Sequence, residues 1–137
     1  MTRMESVLTA LRTRLLTVAT LPAVLAWQNT ALTPDPSQAF VADYVLTMDT
    51  QNIELGPTPR ARTTLLYQVS VRTPVNTGAH PALALASAIT DAFRTGGLVT
   101  TSTGEPMTLL DLRVGPLLQD PSWLHVPITL SLHFDHA

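Results

Sequence analysis

Cysteine and lysine are both absent from the sequence. Without cysteine there are no disulfides, no zinc–thiolate or iron–sulfur ligands and no thiol nucleophile. Without lysine, neither Schiff-base chemistry nor a phosphate-cradling P-loop can be built. Charge of either sign is scarce. Eight arginines stand against ten acidic residues, and charged residues are 13% of the chain, where typical soluble domains carry roughly 25%. The net charge of -2 supplies no positive field for gripping nucleic-acid phosphates. Long apolar runs are missing as well. The stretch 7–27 leans apolar, but Arg12, Arg14 and Pro22 interrupt it, unlike a spanning helix of about 20 apolar residues or the unbroken run of a signal peptide. A soluble chain, with its N-terminal segment part of the fold, is expected.

What is present suits one domain: 137 residues and 14.8 kDa, enough to bury a core without metal or cross-links. The hydrophobic fraction of 45% is ordinary, so Thr, Ser, Pro, Gln and Asn take the place of the missing charge. Disorder needs high charge and low hydrophobicity, and neither holds. A sparsely charged exterior suits a subunit flanked by neighbours, because burying charge is costly. A monomer with a neutral polar surface is the plainer alternative.

Periodicity gives the elements. Met4, Val7, Leu8, Leu11, Leu15 and Val18 recur at helical spacing behind a Thr2/Glu5 capping box, which predicts an amphipathic helix over 2–19. A short strand is expected over 24–29, then a turn at Thr33-Pro34-Asp35-Pro36 and a strand over 40–48. Both faces of that strand are largely apolar, as in a strand covered on two sides. The polar segment 49–62, with Gly56-Pro57-Thr58-Pro59 inside it, is expected as a loop, longer than a hairpin needs. Strict alternation over 63–73 puts Leu65, Tyr67, Val69 and Val71 inward. A helix follows from Pro81, buried through Ala82, Leu85, Ala86, Ile89 and Phe93 and stopped by Gly96-Gly97. The strand 107–114 is expected to show Leu110, Leu112 and Val114 on one face. In the last strand Leu124, Val126, Ile128, Leu130, Leu132 and Phe134 alternate with polar residues, and Pro127 points to an edge or a bulge. The class is α+β: a mostly antiparallel mixed sheet of about five strands with two main helices on one face, as a single domain over 1–137.

Chemistry-bearing patterns are thin. No G-x-G-x-x-G, H-E-x-x-H or G-x-S-x-G occurs. His125, His133, Asp135 and His136 form the best metal-like cluster, but His125 stands roughly 27 Å from His133 along a strand. A Ser131–His133–Asp135 triad would leave its side chains about 6–7 Å apart, too far for hydrogen bonds. These residues read as a solvated face, so no catalytic residue, metal site or cofactor is expected. Arg60, Arg62 and Arg72 are too few for a DNA-binding footprint, and Trp27 and Trp123 read as packing residues.

The layout as a whole carries a resemblance. Glu5, Ser6, Ala10 and Leu11 on the first helix lead through Trp27-Gln28-Asn29 to Thr33-Pro34. Then come the strand Tyr44-Val45-Leu46, a loop ending at Arg60, the strand Tyr67-Gln68-Val69-Ser70-Val71, and an alanine-rich helix ending at Phe93. Trp123 and Val126-Pro127-Ile128-Thr129-Leu130 close the series. Over nearly its full length the chain resembles the small tail-terminator proteins of long-tailed phages. The resemblance implies a non-enzymatic virion protein that assembles into a ring, hexameric in this family, on the head-proximal end of the tail tube. It also implies its partners: further copies of itself, the major tail tube protein and a neck or head-completion protein. Genomic DNA would pass through the lumen without sequence-specific binding, and no membrane is involved. Another neck or tail-completion protein is the nearest alternative, and a small metal-dependent hydrolase a more distant one. Loop length makes Asp49, Ile53, Glu54, Leu55, Arg60 and Arg62 the candidate contacts with an adjacent subunit or ring.

Overall fold

The computed structural model describes residues 3–22, 25–29, 33, 37–95, 99–101, 104 and 106–136. Among these, the chain runs α1 (Arg3–Leu15), β1 (Leu25–Ala26), β2 (Phe40–Asn52), β3 (Ala61–Pro74), α2 (His80–Thr95), β4 (Val99–Thr100), β5 (Pro106–Val114), β6 (Leu118–Gln119) and β7 (Trp123–His136). The strands form one sheet in the order β1-β2-β3-β7-β5-β4, with β6 pairing an end of β7. Every pairing is antiparallel except β1 with β2. The α+β class and the mostly antiparallel mixed sheet are as expected; two further strands of two residues each, β4 and β6, raise the count. Thr2, Pro34, Gly96 and Gly97, which carried the expected cap, turn and helix stop, lie outside the described residues.

The two best-alternating segments become the central pair, β3 and β7, which align along their whole lengths from Ala61↔His136 to Pro74↔Trp123. Their inward residues, Leu65, Tyr67, Val69 and Val71 with Val126, Ile128, Leu130, Leu132 and Phe134, are buried. Against them pack Val7, Leu11 and Leu15 of α1 and the predicted stripe Ala82, Leu85, Ala86, Ile89 and Phe93 of α2. Each large apolar side chain removed from water contributes about 1.5–3 kcal/mol, so this layer dominates stability. A smaller cluster lies apart from it, where Phe40 meets Trp123 edge-on with ring centroids 4.9 Å apart beside Ala42.

Three expectations are corrected. Helix α1 ends at Leu15 and not near 19, because the chain tightens into three-residue turns: the amides of Thr17 and Val18 donate to the carbonyls of Arg14 and Leu15, each at 3.1 Å. Val18 still reaches the core. In β5 a bulge between Leu109 and Asp111 shifts the alternation, so Met107, Leu109 and Leu112 face the core while Leu110 leaves their face and is about half exposed. Val114, opposite Ile128, keeps the face of Leu112 as expected but is about half exposed at the end of the strand. Residues 49–52, 61 and 62 are paired strand residues, and the connection shortens to 53–60. Ser70, on the face of β3 away from the helices, is also buried.

Pro127 lies on a central strand, not an edge. Its carbonyl accepts from the Gly115 amide at 2.7 Å, on the side where β5 has ended at Val114 and β6 has not begun. The missing proline amide therefore faces an interruption in the neighbouring strand. A Cβ on Gly115 would sit 2.7 Å from the Pro127 ring, so the ring requires glycine there.

Candidate functional site

The C-terminal histidines do not converge. His136 turns to the helix side, is buried, and shares a 2.9 Å hydrogen bond between its Nε2 and the Thr63 hydroxyl. His133 and Asp135 belong to the other face. Arg62 holds Asp135, donating from Nε at 2.7 Å and from Nη2 at 3.1 Å. That hydrogen bond, with the Arg62 charge, keeps the Asp135 carboxyl below the usual range. No group of three metal-ligating residues occurs among the described residues.

His125, on the same outer face as His133 and Asp135, hydrogen-bonds Ser70 through Nε2. Arg72, Asp120 and, across β6, Leu118 face it. Burial first, then the Arg72 charge, lower its pKa below 6.5, against the pull of Asp120. The unfolded chain therefore binds this proton first as pH falls. Stability is complete above about pH 6.5 and declines below it, levelling off once the folded imidazole protonates too. Asp120 and Asp135, whose pKa values are lowered, add a separate loss that begins only below about 3.8. Replacing His125 with Gln is expected to flatten the decline in urea midpoint between about pH 7 and pH 5. An unchanged slope would refute the assignment.

The residues proposed for contact sit on one projecting hairpin. Asn52 pairs with Ala61, and the Ile53 amide donates to the Arg60 carbonyl at 2.9 Å, closing the ladder below the loop. Thr50 and Thr63 share a 2.8 Å hydroxyl bond, and Thr63 continues to His136, so a polar chain crosses β2, β3 and β7. With the Arg62–Asp135 pair on the opposite face, the arm is braced on both sides. Asp49 lies in β2, where it accepts from the Gln51 amide nitrogen at 3.3 Å. Ile53, Glu54, Leu55 and Arg60 belong to the exposed loop. Leu55 has a relative exposure of 103%, so nothing in the chain covers it.

One group was missed in the sequence. Asp43 is fully buried in β2, yet its carboxylate accepts from Arg12 Nε at 2.7 Å, Arg12 Nη2 at 3.2 Å, the Tyr67 hydroxyl at 2.8 Å and the Gln28 amide at 2.8 Å. Gln28 in turn accepts from the Val45 amide at 2.6 Å through its side-chain oxygen. The Arg12 guanidinium lies 4.7 Å from the centre of the Trp27 ring. Burial and the Asp43 charge push the Tyr67 phenol far above its ordinary range, so it stays a donor. This network ties α1, the segment after β1, β2 and β3 together. A single carboxylate inside the apolar run 40–46 was the available signal.

The described residues line two shallow hollows, among others. One of about 330 Å³ lies between the end of α1 and α2, lined by Val18, Ala88 and Ala92 among others. The other, about 290 Å³, lies on the outer sheet face, where Asp111 and Arg113 neutralise each other at 2.8 Å. No helix among the described residues is long and apolar enough to cross a membrane.

Fold and surface together define an α+β domain whose most developed features are a projecting hairpin and exposed strand edges. Residues 6–132 match the phage tail terminator protein family, and the chain belongs to it. Its place is thus structural, in the phage tail. No curated protein matches its sequence. One solved chain superposes with a TM-score of 0.78 at 22% identity, covering 100% of this chain and 99% of its own. A chain from the virion of a native gene transfer agent particle superposes at 0.60 and 18% identity, covering 93% of each. At these identities the likeness concerns the fold.

Proposed function

We propose that the protein caps the head-proximal end of the tail tube as a hexameric ring, ending tube polymerisation and forming the joint to the neck and head. The family match over nearly the whole chain carries this reading. The same fold within a gene transfer agent virion and the braced hairpin support it. Its partners are further copies of itself, the major tail tube protein and a neck protein, at the tail–neck junction of a virion assembled in the host cytoplasm. DNA would cross the lumen without base-specific contact, in keeping with a net charge of -2.

The test adds the purified chain to polymerising tube protein and images the products. Tubes that stop growing and carry one extra ring at a single end are expected. Tubes of unchanged length with the chain left in solution would overturn the reading. Binding to isolated neck components without any effect on tubes would instead make it another head–tail joining protein.

A further inference from the structure

The sheet, among the described residues, has two edges that are open over part of their length. Among the described residues β1 pairs only with Val41 and Ala42 of β2, and the Gln28 side chain takes the Val45 amide, so β2 is open over 46–52. On the far side, again among the described residues, β4 pairs only with Pro106 and Met107, leaving β5 open over 108–114. These edges correspond in several respects. They are similar in length, and each contains a bulge whose extra residue is a leucine: Leu46 on β2, 50% exposed, and Leu110 on β5, 53% exposed. Neither open segment contains proline or lysine, residues that commonly guard an edge. On β5 the only charges, Asp111 and Arg113, are paired with each other.

Strand direction supplies the geometry. β2, β3, β7 and β5 are successively antiparallel, so β2 and β5 run in opposite directions. A second copy, rotated about an axis roughly along the strands, would bring its β5 antiparallel to the first copy's β2. Through β3, the open part of β2 lies level with 131–136 of β7, while that of β5 lies level with 128–133. The edges overlap with a stagger of a few residues, as tilted strands in a closed sheet require. A contact of this kind joins different patches of two copies, and it closes into a ring when the rotation permits.

We infer that copies of this chain join edge to edge, the open stretch of β2 in one pairing with that of β5 in the next, Leu46 and Leu110 becoming buried. The inference rests on the ring reading above and names the contact within it.

Leu46→Lys and Leu110→Lys each block one edge. In both variants a Lys at the half-exposed position leaves the core intact, checked by circular dichroism and thermal melting. Assembly is read by native mass spectrometry and by co-sedimentation with tail tubes, so that a ring formed only on a tube is scored. Wild-type chain should form rings, and each variant should lose them by about a hundredfold or more, because an unpaired charge would be buried. The two variants mixed should form a pair and nothing larger, since only one good edge contact remains between them. If either variant misfolds, Thr47→Lys and Val114→Lys block the same edges. Rings from either edge variant at wild-type yield would overturn the edge contact and leave the ring reading standing. Absence of wild-type rings both in solution and on tubes would overturn both.

Discussion

Replacing Asp43 with alanine is expected to cost about 3–5 kcal/mol of folding stability, because it strands two neutral donors and a part-buried guanidinium at once. The carboxylate is fully buried and accepts from three residues: Arg12, Tyr67 and the Gln28 amide. Arg12 is 24% exposed along its side chain and can recover water, so most of the loss comes from the other two donors. Tyr67→Phe should cost less, about 1–3 kcal/mol, because Asp43 keeps its remaining donors. Urea unfolding followed by tryptophan fluorescence checks both, since Trp27 lies against Arg12. An Arg12→Ala/Asp43→Ala cycle should give a coupling of about 0.5–3 kcal/mol. A loss below about 1 kcal/mol for Asp43→Ala would show that the network is dispensable.

Shortening the loop is expected to separate folding from assembly. With residues 54–59 replaced by Asn-Gly, the ladder from Asn52↔Ala61 downward keeps its pairs and its braces to β7. Stability should change by less than about 1 kcal/mol, since closing a shorter exposed loop alters chain entropy little. Docking on tail tubes, measured by co-sedimentation, should fall by about a hundredfold or more, as when buried anchor residues are removed from an interface. Leu55→Ser isolates the apolar part of that loss, because the side chain touches nothing in its own chain. Full docking by the shortened protein would move the contact off this loop.

Much of the framework was legible. β3, β7 and α2 show their buried faces as clean periods of two and 3.6, because each has one face wholly in the core. The bulges at Leu46 and Leu110 were not legible, since an extra residue in a ladder is set by the partner strand and leaves no local signal. The hairpin was read as loop through Asp49 and Arg62. Polar residues with one face in solvent carry weak strand propensity, and pairing with β7 supplied the rest. Pro127 misled for a related reason: what spares it is the gap between β5 and β6, distant in sequence. Asp43 stood out only faintly, because Arg12 is 31 residues away and Tyr67 is 24. For the loop, length was the only signal in the sequence, and the fold sets Ile53, Glu54, Leu55 and Arg60 in solvent beyond the last paired residues.

The central position of β7 also governs the order of events during synthesis. β3 and β5 meet only through this strand, which is made after every other described element. A nascent chain therefore has its β2–β3 ribbon early, yet no continuous platform for the helices until Trp123–His136 has left the ribosome. Non-local pairing of this kind slows folding and keeps the intermediate incomplete. The protein thus reaches a competent shape only once this strand has emerged, which delays any encounter between half-made copies.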